Sequence, residues 1–148
     1  MARELKERSD VQVFGAIAGI EPLSRQRIER VLPNGLSAAS FSVLGHFARR
    51  GAVEGPAELA AALGVTKGAI TNTLQRLEAQ GLVMVADDPD DGRRKRVSLT
   101  VAGGRAHNDC LAALRPDMEA MRRAFSEAEF DAALPFLQRL RTWLESQR

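Results

Sequence analysis

Cysteine and aromatic residues are scarce in this sequence. Its 148 residues include one cysteine, one tryptophan and no tyrosine, and aromatic residues make up 5% of the chain. The single cysteine, Cys110, excludes a disulfide within the chain, and the first residues show no continuous apolar core of the kind a secretory signal carries. We therefore expect a reducing, cytoplasmic setting. Because strands favour aromatic residues, their scarcity also favours helices over sheets.

The sequence also lacks an excess of one charge and any long apolar run. Twenty-one Lys and Arg against nineteen Asp and Glu leave a formal net charge of +2, so a nucleic-acid surface must come from local clusters of cations. The longest stretch without a formal charge, residues 31–48, is interrupted by Pro33, Asn34 and Gly35, which indicates a turn and not a membrane span. With 45% apolar and 27% charged residues, the chain is expected to form one globular domain over residues 1–148.

Motifs of the common enzyme classes are missing from the sequence. It contains no glycine-rich phosphate-binding loop, no paired metal-binding histidines on a helix and no Gly-x-Ser-x-Gly elbow. A zinc site at Cys110 and His107 would need further ligands, and His46 is the one other histidine. We therefore expect neither catalysis nor a bound metal or other cofactor.

Apolar residues recur at helical spacing along most of the chain, and turn-forming residues separate the segments. The first segment covers residues 3–32, and Pro22 is expected to kink or divide it. In the later segments, the residues suited to an N-terminal cap or first turn are Ser37, Pro56, Thr66, Thr100 and Ser126. The sequence therefore predicts a mainly helical fold.

The helix predicted after Thr66 has two different faces. Ile70, Leu74 and Leu77 fall together on one side and form the predicted core face. Amides, hydroxyls and small residues occupy the other side, and they suit close approach to DNA base edges, whereas a solvated helix face usually carries pairs of Glu and Lys. This polar face consists of Gly68, Asn72, Gln75 and Ala79, flanked by Thr71 and Arg76.

The segment before this helix favours a helix-turn-helix. Ala60, Gly64 and Ile70 place a small residue, a turn glycine and a branched apolar residue where two helices would cross closely. Any compact pair of helices also needs such a turn, so the spacing alone does not establish DNA binding.

After Gly81 the sequence predicts a β-hairpin with a charged tip. Residues 82–85 and 97–99 form the strands, and their connection carries four aspartates followed by four consecutive cations at 93–96. Beside a helix-turn-helix, these cations would follow a phosphate backbone, and an arginine at the tip would enter the minor groove. The alternative is a solvated edge strand whose cations prevent edge-to-edge aggregation.

Both terminal segments carry apolar stripes that lie far in sequence from the helix-turn-helix. Val13, Phe14 and Ile17 belong to the first stripe, and the second runs from Phe130 to Leu144 at three- and four-residue intervals. These stripes need a partner, which is either the other stripe or a second subunit.

Eight short motifs follow one another in the order found in a known family. They are Phe41-Ser42-Val43-Leu44, Glu58-Leu59-Ala60, Leu63-Gly64-Val65, Ala69-Ile70-Thr71, Leu77-Glu78, Gly81-Leu82-Val83, Asp88-Pro89-x-Asp91-Gly92-Arg93 and Leu99-Thr100-x-x-Gly103. With these motifs in register, the sequence resembles the MarR family of winged helix-turn-helix transcriptional regulators over most of its length.

The resemblance implies a mainly α fold with a small β-hairpin wing. Residues 36–100 would form the DNA-binding lobe, and residues 1–35 and 101–148 the helical dimerisation lobe of an intertwined homodimer. Such a homodimer would bind a pseudo-palindromic operator in double-stranded DNA as a transcriptional regulator, and we expect a repressor. Pro22 departs from the uninterrupted first helix that is usual in the family.

The resemblance also implies which residues contact DNA. The helix over residues 66–80 matches the recognition helix, with Lys67 and Arg76 near phosphates and Asn72 and Gln75 near base edges. The full set of DNA contacts implied is Thr66, Lys67, Gly68, Thr71, Asn72, Gln75, Arg76, Asp91, Arg93, Arg94 and Lys95.

Asp91 and Arg93 match the wing-tip pair of the family. Arg93 would enter the minor groove, while Asp91 would hold its guanidinium through a bidentate, charge-assisted contact, so that less rotamer freedom is lost on binding. Arg94, Lys95 and Arg96 would add phosphate contacts.

Family members commonly release DNA when a small anionic aromatic compound enters the cleft between the two lobes, so the resemblance implies an effector of this kind. Two alternatives stay open. The acidic tip, with residues 87–91, would also suit a winged-helix module that binds a basic protein and no DNA. A redox-sensing regulator would use Cys110, although its neighbours supply no cluster of cations to lower the thiol pKa.

Overall fold

The computed structural model describes residues 2–147, which form seven α-helices and one antiparallel pair of strands. In chain order these are α1 (Ala2–Glu7), α2 (Ser9–Val31), a 3₁₀ turn (Pro33–Gly35), α3 (Ala38–Arg50), α4 (Pro56–Leu63), α5 (Lys67–Ala79), β1 (Val83–Asp87), β2 (Lys95–Leu99), α6 (Val101–Ala124) and α7 (Glu127–Ser146). This order confirms the predicted mainly helical fold with a hairpin wing.

The N-terminal helix divides at Arg8, and the expected division at Pro22 is wrong. Helix α2 runs without interruption through Pro22. A proline removes one backbone donor, and this 23-residue helix continues past that position as a single element. An ion pair between Arg25 and Glu21, at 3.1 Å, spans the same turn.

Predicted caps define the helix-turn-helix and the helices around it. Thr66 precedes α5, and its side-chain oxygen accepts a hydrogen bond from the Ala69 amide at 3.2 Å. Gly64 ends α4 in the left-handed conformation, with φ of 69°, which a glycine adopts without steric cost. Ser37, Thr100 and Ser126 cap α3, α6 and α7 in the same way as Thr66 caps α5.

The core lies between α3, α4, α5, α6 and the hairpin. Ile70, Leu74 and Leu77 are buried there, which confirms the predicted core face of α5. Helix α3 contributes fully buried Leu44 and Phe47, while Ala48 is exposed. Burial of these side chains gives α5 a fixed support, so its polar face points outward.

The hairpin is longer than the sequence predicts. Its register pairs Val83 with Leu99 and Asp87 with Lys95, so the strands extend two residues further on the tip side than 85 and 97. The Lys95 ammonium also forms an ion pair with the Asp87 carboxylate across the strands, and opposite charges at a directly paired position favour this extension.

Helix α6 begins in close contact with the base of the wing. The Thr100 hydroxyl donates to the Gly81 carbonyl at 2.7 Å, and the Thr100 amide donates to the Leu82 carbonyl at 3.2 Å. A Cβ at Gly103 would lie 2.0 Å from that Leu82 oxygen, so only glycine allows this approach. The motif that ends in Gly103 therefore fixes where the wing joins the long helix.

The outer helices α2 and α7 leave their apolar side chains exposed. Neither contains a buried residue, and Leu134 and Trp143 of α7 are 54% and 57% exposed. A bidentate pair between Arg27 and Asp117, at 2.8 and 2.6 Å, joins α2 to α6. None of the helices described is both long and apolar enough to cross a bilayer.

Candidate nucleic-acid interface

The polar face of α5 is exposed over its whole length. Gly68, Asn72, Gln75 and Arg76 are all solvent-accessible. Gly68 has a particular geometry, because a Cβ added there would meet no atom within 4 Å and its φ is not positive. Neither the packing nor the backbone conformation therefore requires glycine at this position, and the missing side chain leaves the surface open to close approach from outside.

The hairpin brings its cations beside the first turns of α5. Lys67 and Thr71 share a cleft of about 660 Å³ with residues 93–96 of the wing and the first turn of α4. The Thr71 hydroxyl donates to the Lys67 carbonyl at 2.8 Å, so this hydroxyl is already paired within the helix. The structure thus places Lys67, Thr71, Arg93, Arg94 and Lys95 around one groove, while the other α5 candidates lie further along the exposed face.

The contact predicted between Asp91 and the Arg93 guanidinium is wrong. The Asp91 carboxylate instead accepts a hydrogen bond from the Arg93 backbone amide at 3.0 Å, and it lies 3.8 Å from Nε of Arg94. An aspartate two residues before a free amide closes a local Asx turn, and this short-range bond takes the carboxylate. Asp91 therefore shapes the tip backbone on which Arg93 is carried.

Local pairing neutralises part of the charge of the wing. Asp87 pairs with Lys95, and Asp91 lies near Arg94. Within residues 2–147, the Arg93 and Arg96 guanidinium groups form no ion pair or side-chain hydrogen bond, and both residues are exposed. These two cations are available to a phosphate backbone without breaking an existing contact.

Two glutamates that the sequence does not single out for DNA binding connect the wing to the rest of the fold, Glu78 through its carboxylate and Glu54 through its backbone. Glu78 of α5 accepts a hydrogen bond from the Val85 amide at 3.1 Å, so α5 and β1 are joined directly. Glu54 pairs with Val97 through two backbone hydrogen bonds of 3.1 and 2.7 Å, and its side chain lies 2.8 Å from Nε2 of His46. Leu77-Glu78 belongs to a family motif, whereas no signal in the sequence marks Glu54.

A second cleft, of about 590 Å³, lies between α3, α4 and α7. Phe41 and His107 stack in its wall with ring centroids 5.5 Å apart. Burial, and to a smaller extent the nearby Arg49 cation, lower the pKa of His107, so its imidazole is neutral near pH 7. Arg49 forms no ion pair in the part of the chain described, whereas Arg141 is bound to Glu145 at 2.9 Å and to the Ala62 carbonyl at 2.7 Å.

Cys110 is fully buried in the core. Burial, and then the charge of Asp109, raise the pKa of its thiol, which disfavours the reactive thiolate. These properties argue against the redox-sensing alternative. Residues 2–147 contain no group of three or more His, Cys, Asp or Glu side chains arranged to hold a metal ion.

An outward-facing helix after a tight turn, with a cationic hairpin beside it, defines the winged helix-turn-helix class of DNA-binding folds. The family model of the MarR family, a family of transcriptional regulators, matches residues 34–94, which hold most of the winged helix-turn-helix. No curated protein matches the chain.

Solved structures of MarR-type regulators share the fold over nearly the whole chain. A mutant of MarR from Escherichia coli, in complex with operator DNA, is 26% identical, covers 88% of this chain and 94% of its own, and has a TM-score of 0.74. The transcriptional regulator BldR from Sulfolobus solfataricus is 27% identical over 91% of this chain and 97% of its own, with a TM-score of 0.77. A MarR-family regulator from Rhodococcus sp. RHA1, 21% identical, shares the fold with a TM-score of 0.79 over 90% and 95% of the two chains.

Proposed function

We propose that this protein is a sequence-specific transcriptional repressor that binds a pseudo-palindromic operator in double-stranded DNA as a homodimer. The observation that carries the proposal is the groove in which the exposed polar face of α5 begins beside the cations of the wing. The solved complex of a mutant of the similar Escherichia coli MarR with operator DNA also supports DNA binding.

The exposed face of α5 would enter the major groove. Asn72 and Gln75 carry amides that can donate and accept together, which suits adenine N7 and N6. Lys67 and Arg76 lie where they would contact phosphates and set the register, and Gly68 would let the DNA approach the helix closely. Thr71 would contribute its methyl group, since its hydroxyl is paired with the Lys67 carbonyl. Thr66 would contribute at the N-terminus of the helix, where amide dipoles favour an anion.

The wing would contact DNA beside the major groove occupied by α5. Arg93 is exposed at the tip, so we assign it to the minor groove, where a narrow groove attracts arginine. Arg94 and Lys95 would contact phosphates, and Asp91 would act indirectly through the tip conformation. A basic protein partner is less favoured, because two tip aspartates already face cations of the chain itself.

A second copy of this chain would cover the apolar faces of the outer helices. Ile20 and Leu23 of α2 are 61% and 68% exposed, and with α6 they border an apolar groove of about 550 Å³. Exposed apolar area on this scale is typical of an interface and not of a monomer surface. We therefore assign residues 1–35 and 101–148 to a dimerisation lobe and residues 36–100 to the DNA-binding lobe.

A small aromatic anion would act as the effector in the cleft between α3, α4 and α7. Arg49 offers a guanidinium without an ion pair to a carboxylate, and the Phe41–His107 stack offers a flat apolar wall to a ring. Such a ligand shifts operator binding only if it favours one lobe arrangement over another. Titration with benzoate and with neutral benzamide tests the site: binding of benzoate alone supports it, and equal or absent binding contradicts it.

In vitro selection from a pool of random duplexes tests DNA recognition and identifies the preferred operator at the same time. We expect enrichment of an inverted repeat whose half-sites lie about one helical turn apart, with protection of both halves in a footprint. Failure to enrich any sequence, or enrichment of a single half-site only, would contradict the proposal.

A further inference from the structure

A hydrogen bond joins the C-terminal helix to the helix-turn-helix. Arg141 of α7 donates from Nη2 to the carbonyl oxygen of Ala62, in the last turn of α4, at 2.7 Å. Its Nε donates to Oε1 of Glu145, one helical turn further along α7, at 2.9 Å. Because the bond to Glu145 holds the plane of the guanidinium, little further rotamer freedom is lost when Arg141 reaches Ala62.

The backbone carbonyl oxygen of Ala62 receives no hydrogen bond from within α4. The last carbonyls of any helix lack partners within the helix, and here the amides of Gly64 and Val65 turn back to Ala60 and Ala61. Arg141 supplies the donor that Ala62 lacks. It also places a positive charge at the C-terminus of α4, where the helix dipole is negative.

Because little packing surrounds this hydrogen bond, it affects the position of α7 relative to α4 more than a hydrogen bond in a packed interface would. The open cleft of about 590 Å³ lies beside it, and none of the residues described in α7 is buried. Few packed side chains therefore fix the position of α7 relative to α4. Ala62 lies four residues before Thr66, the cap of the recognition helix, so a shift of this turn displaces the start of α5.

We infer that Arg141 is a positioning residue that sets the angle between α7 and the recognition helix through the Ala62 carbonyl. In a dimer held by its outer helices, this angle decides whether both recognition helices fit successive major grooves at once. The inference rests on the proposed function, since it assigns Arg141 a role in matching the dimer to the spacing of its operator.

The first test monitors the contact between Arg141 and Ala62 in the protein without DNA. Arg141→Gln removes the charged donor, and Arg139→Gln is the matched control, because Arg139 is an exposed arginine of α7 with no ion pair among residues 2–147. We expect hydrogen exchange at the Gly64 and Val65 amides to become at least threefold faster in Arg141→Gln and to stay unchanged in the control. Unchanged exchange in both variants would overturn the inference.

The second test separates positioning from charge. Arg141→Gln should weaken binding to the selected full operator about tenfold and change binding to an isolated half-site less than twofold, because the angle matters only when two helices must dock together. Arg141→Lys keeps a donor and should restore most of the loss, with equal thermal midpoints for all variants. Equal losses of affinity for the full operator and the half-site, or the same loss in Arg139→Gln, would overturn the inference.

The two tests also separate this inference from the proposed function. If hydrogen exchange is faster in Arg141→Gln but the wild-type protein binds no DNA, the proposed function is overturned and the Arg141 contact stands.

Discussion

The helix-turn-helix with its hairpin and the outer helices differ in where their apolar side chains lie. Residues 36–100 bury Leu44, Phe47 and Leu77 completely in a shared core. Helices α2 and α7 contain no fully buried residue, although each carries an apolar stripe. The comparison teaches that the first region is anchored in a core that it shares with α6, whereas the outer helices expose apolar surface that a second copy would cover in the proposed dimer.

Leu77→Ala tests whether α5 is anchored in the core, and we expect it to have the largest effect of the substitutions proposed. Leu77 is fully buried between α5 and the core, so its truncation removes packing and leaves a cavity. We expect the free energy of unfolding to fall by about 2–5 kcal/mol. Urea unfolding measures it, with Gln75→Ala on the exposed face as the control. A loss below about 1 kcal/mol would mean that α5 is not anchored as described.

Leu134→Asp tests whether the exposed apolar stripe of α7 belongs to a dimer interface. The substitution places a charge on an apolar stripe that is half exposed in one chain and buried in the proposed dimer. We expect dimerisation to weaken by about 2 kcal/mol or more, as at an interface hot spot. Sedimentation equilibrium measures the shift, and Thr142→Asp adds the same charge at a position that is already polar. A monomeric wild type, or an unaffected dimer, would show that α7 is not part of the interface.

Arg93→Ala sharpens the comparison on the DNA side, since Arg93 belongs to the hairpin and not to an outer helix. We expect operator and random duplexes to lose affinity together, by about 1–3 kcal/mol, because a backbone or minor-groove contact carries little sequence information. A salt titration should give a slope that is smaller by about one. Arg105→Ala on α6 is the control, because it removes the same charge outside the wing. Equal DNA affinity and salt dependence in the two variants would show that Arg93 does not contact DNA.

Gly68→Ala should change stability and DNA binding in opposite directions. The added Cβ meets no atom within 4 Å, and alanine is the better helix former, so unfolding should cost about 0.5–1 kcal/mol more. Operator affinity should fall nevertheless, since the methyl group keeps DNA away from α5. Gly15→Ala in α2 is the control, because it also has open space and should affect stability alone. Unchanged operator affinity would place the DNA away from Gly68.

The smallest expected effect concerns His107 in the cleft. Its pKa is lowered by burial and by Arg49, so the unfolded chain binds a proton more readily than the folded one. Stability from this group is therefore present above the ordinary histidine pKa and is lost as the pH falls through the lowered value. Urea unfolding on either side of the ordinary histidine pKa should show a smaller pH dependence in His107→Gln than in the wild type. An equal dependence would contradict the buried, neutral histidine.

Local chemistry explains which features the sequence predicts. The faces of α5 follow from residue spacing, and the caps at Thr66, Thr100 and Ser126 follow from side chains that can accept from nearby amides. Such signals do not depend on residues far away in the chain. They are sufficient for the helices, the turn at Gly64 and the exposed face proposed for DNA.

The features that the sequence does not predict depend on competition between hydrogen-bond donors and on contacts between residues far apart in the chain. Asp91 has two possible donors, and the nearer amide of Arg93 takes the carboxylate from the guanidinium. The Arg141 contact with Ala62 and the bridge between Glu54 and Val97 join residues far apart in the chain, so no local pattern marks them. Helix α2 also continues through Pro22, which the residue type alone does not reveal.

The central claim is that two copies of the polar face of α5, each beside its wing, bind one operator. The most direct measurement is an equilibrium titration of the wild-type protein against the selected operator and a scrambled duplex at several salt concentrations, with the mass of the complex measured alongside. We expect two chains per operator, at least about a thousandfold preference over the scrambled duplex, and affinity that falls linearly in the logarithm of salt. Equal affinity for both duplexes, or binding that salt does not weaken, would contradict the claim.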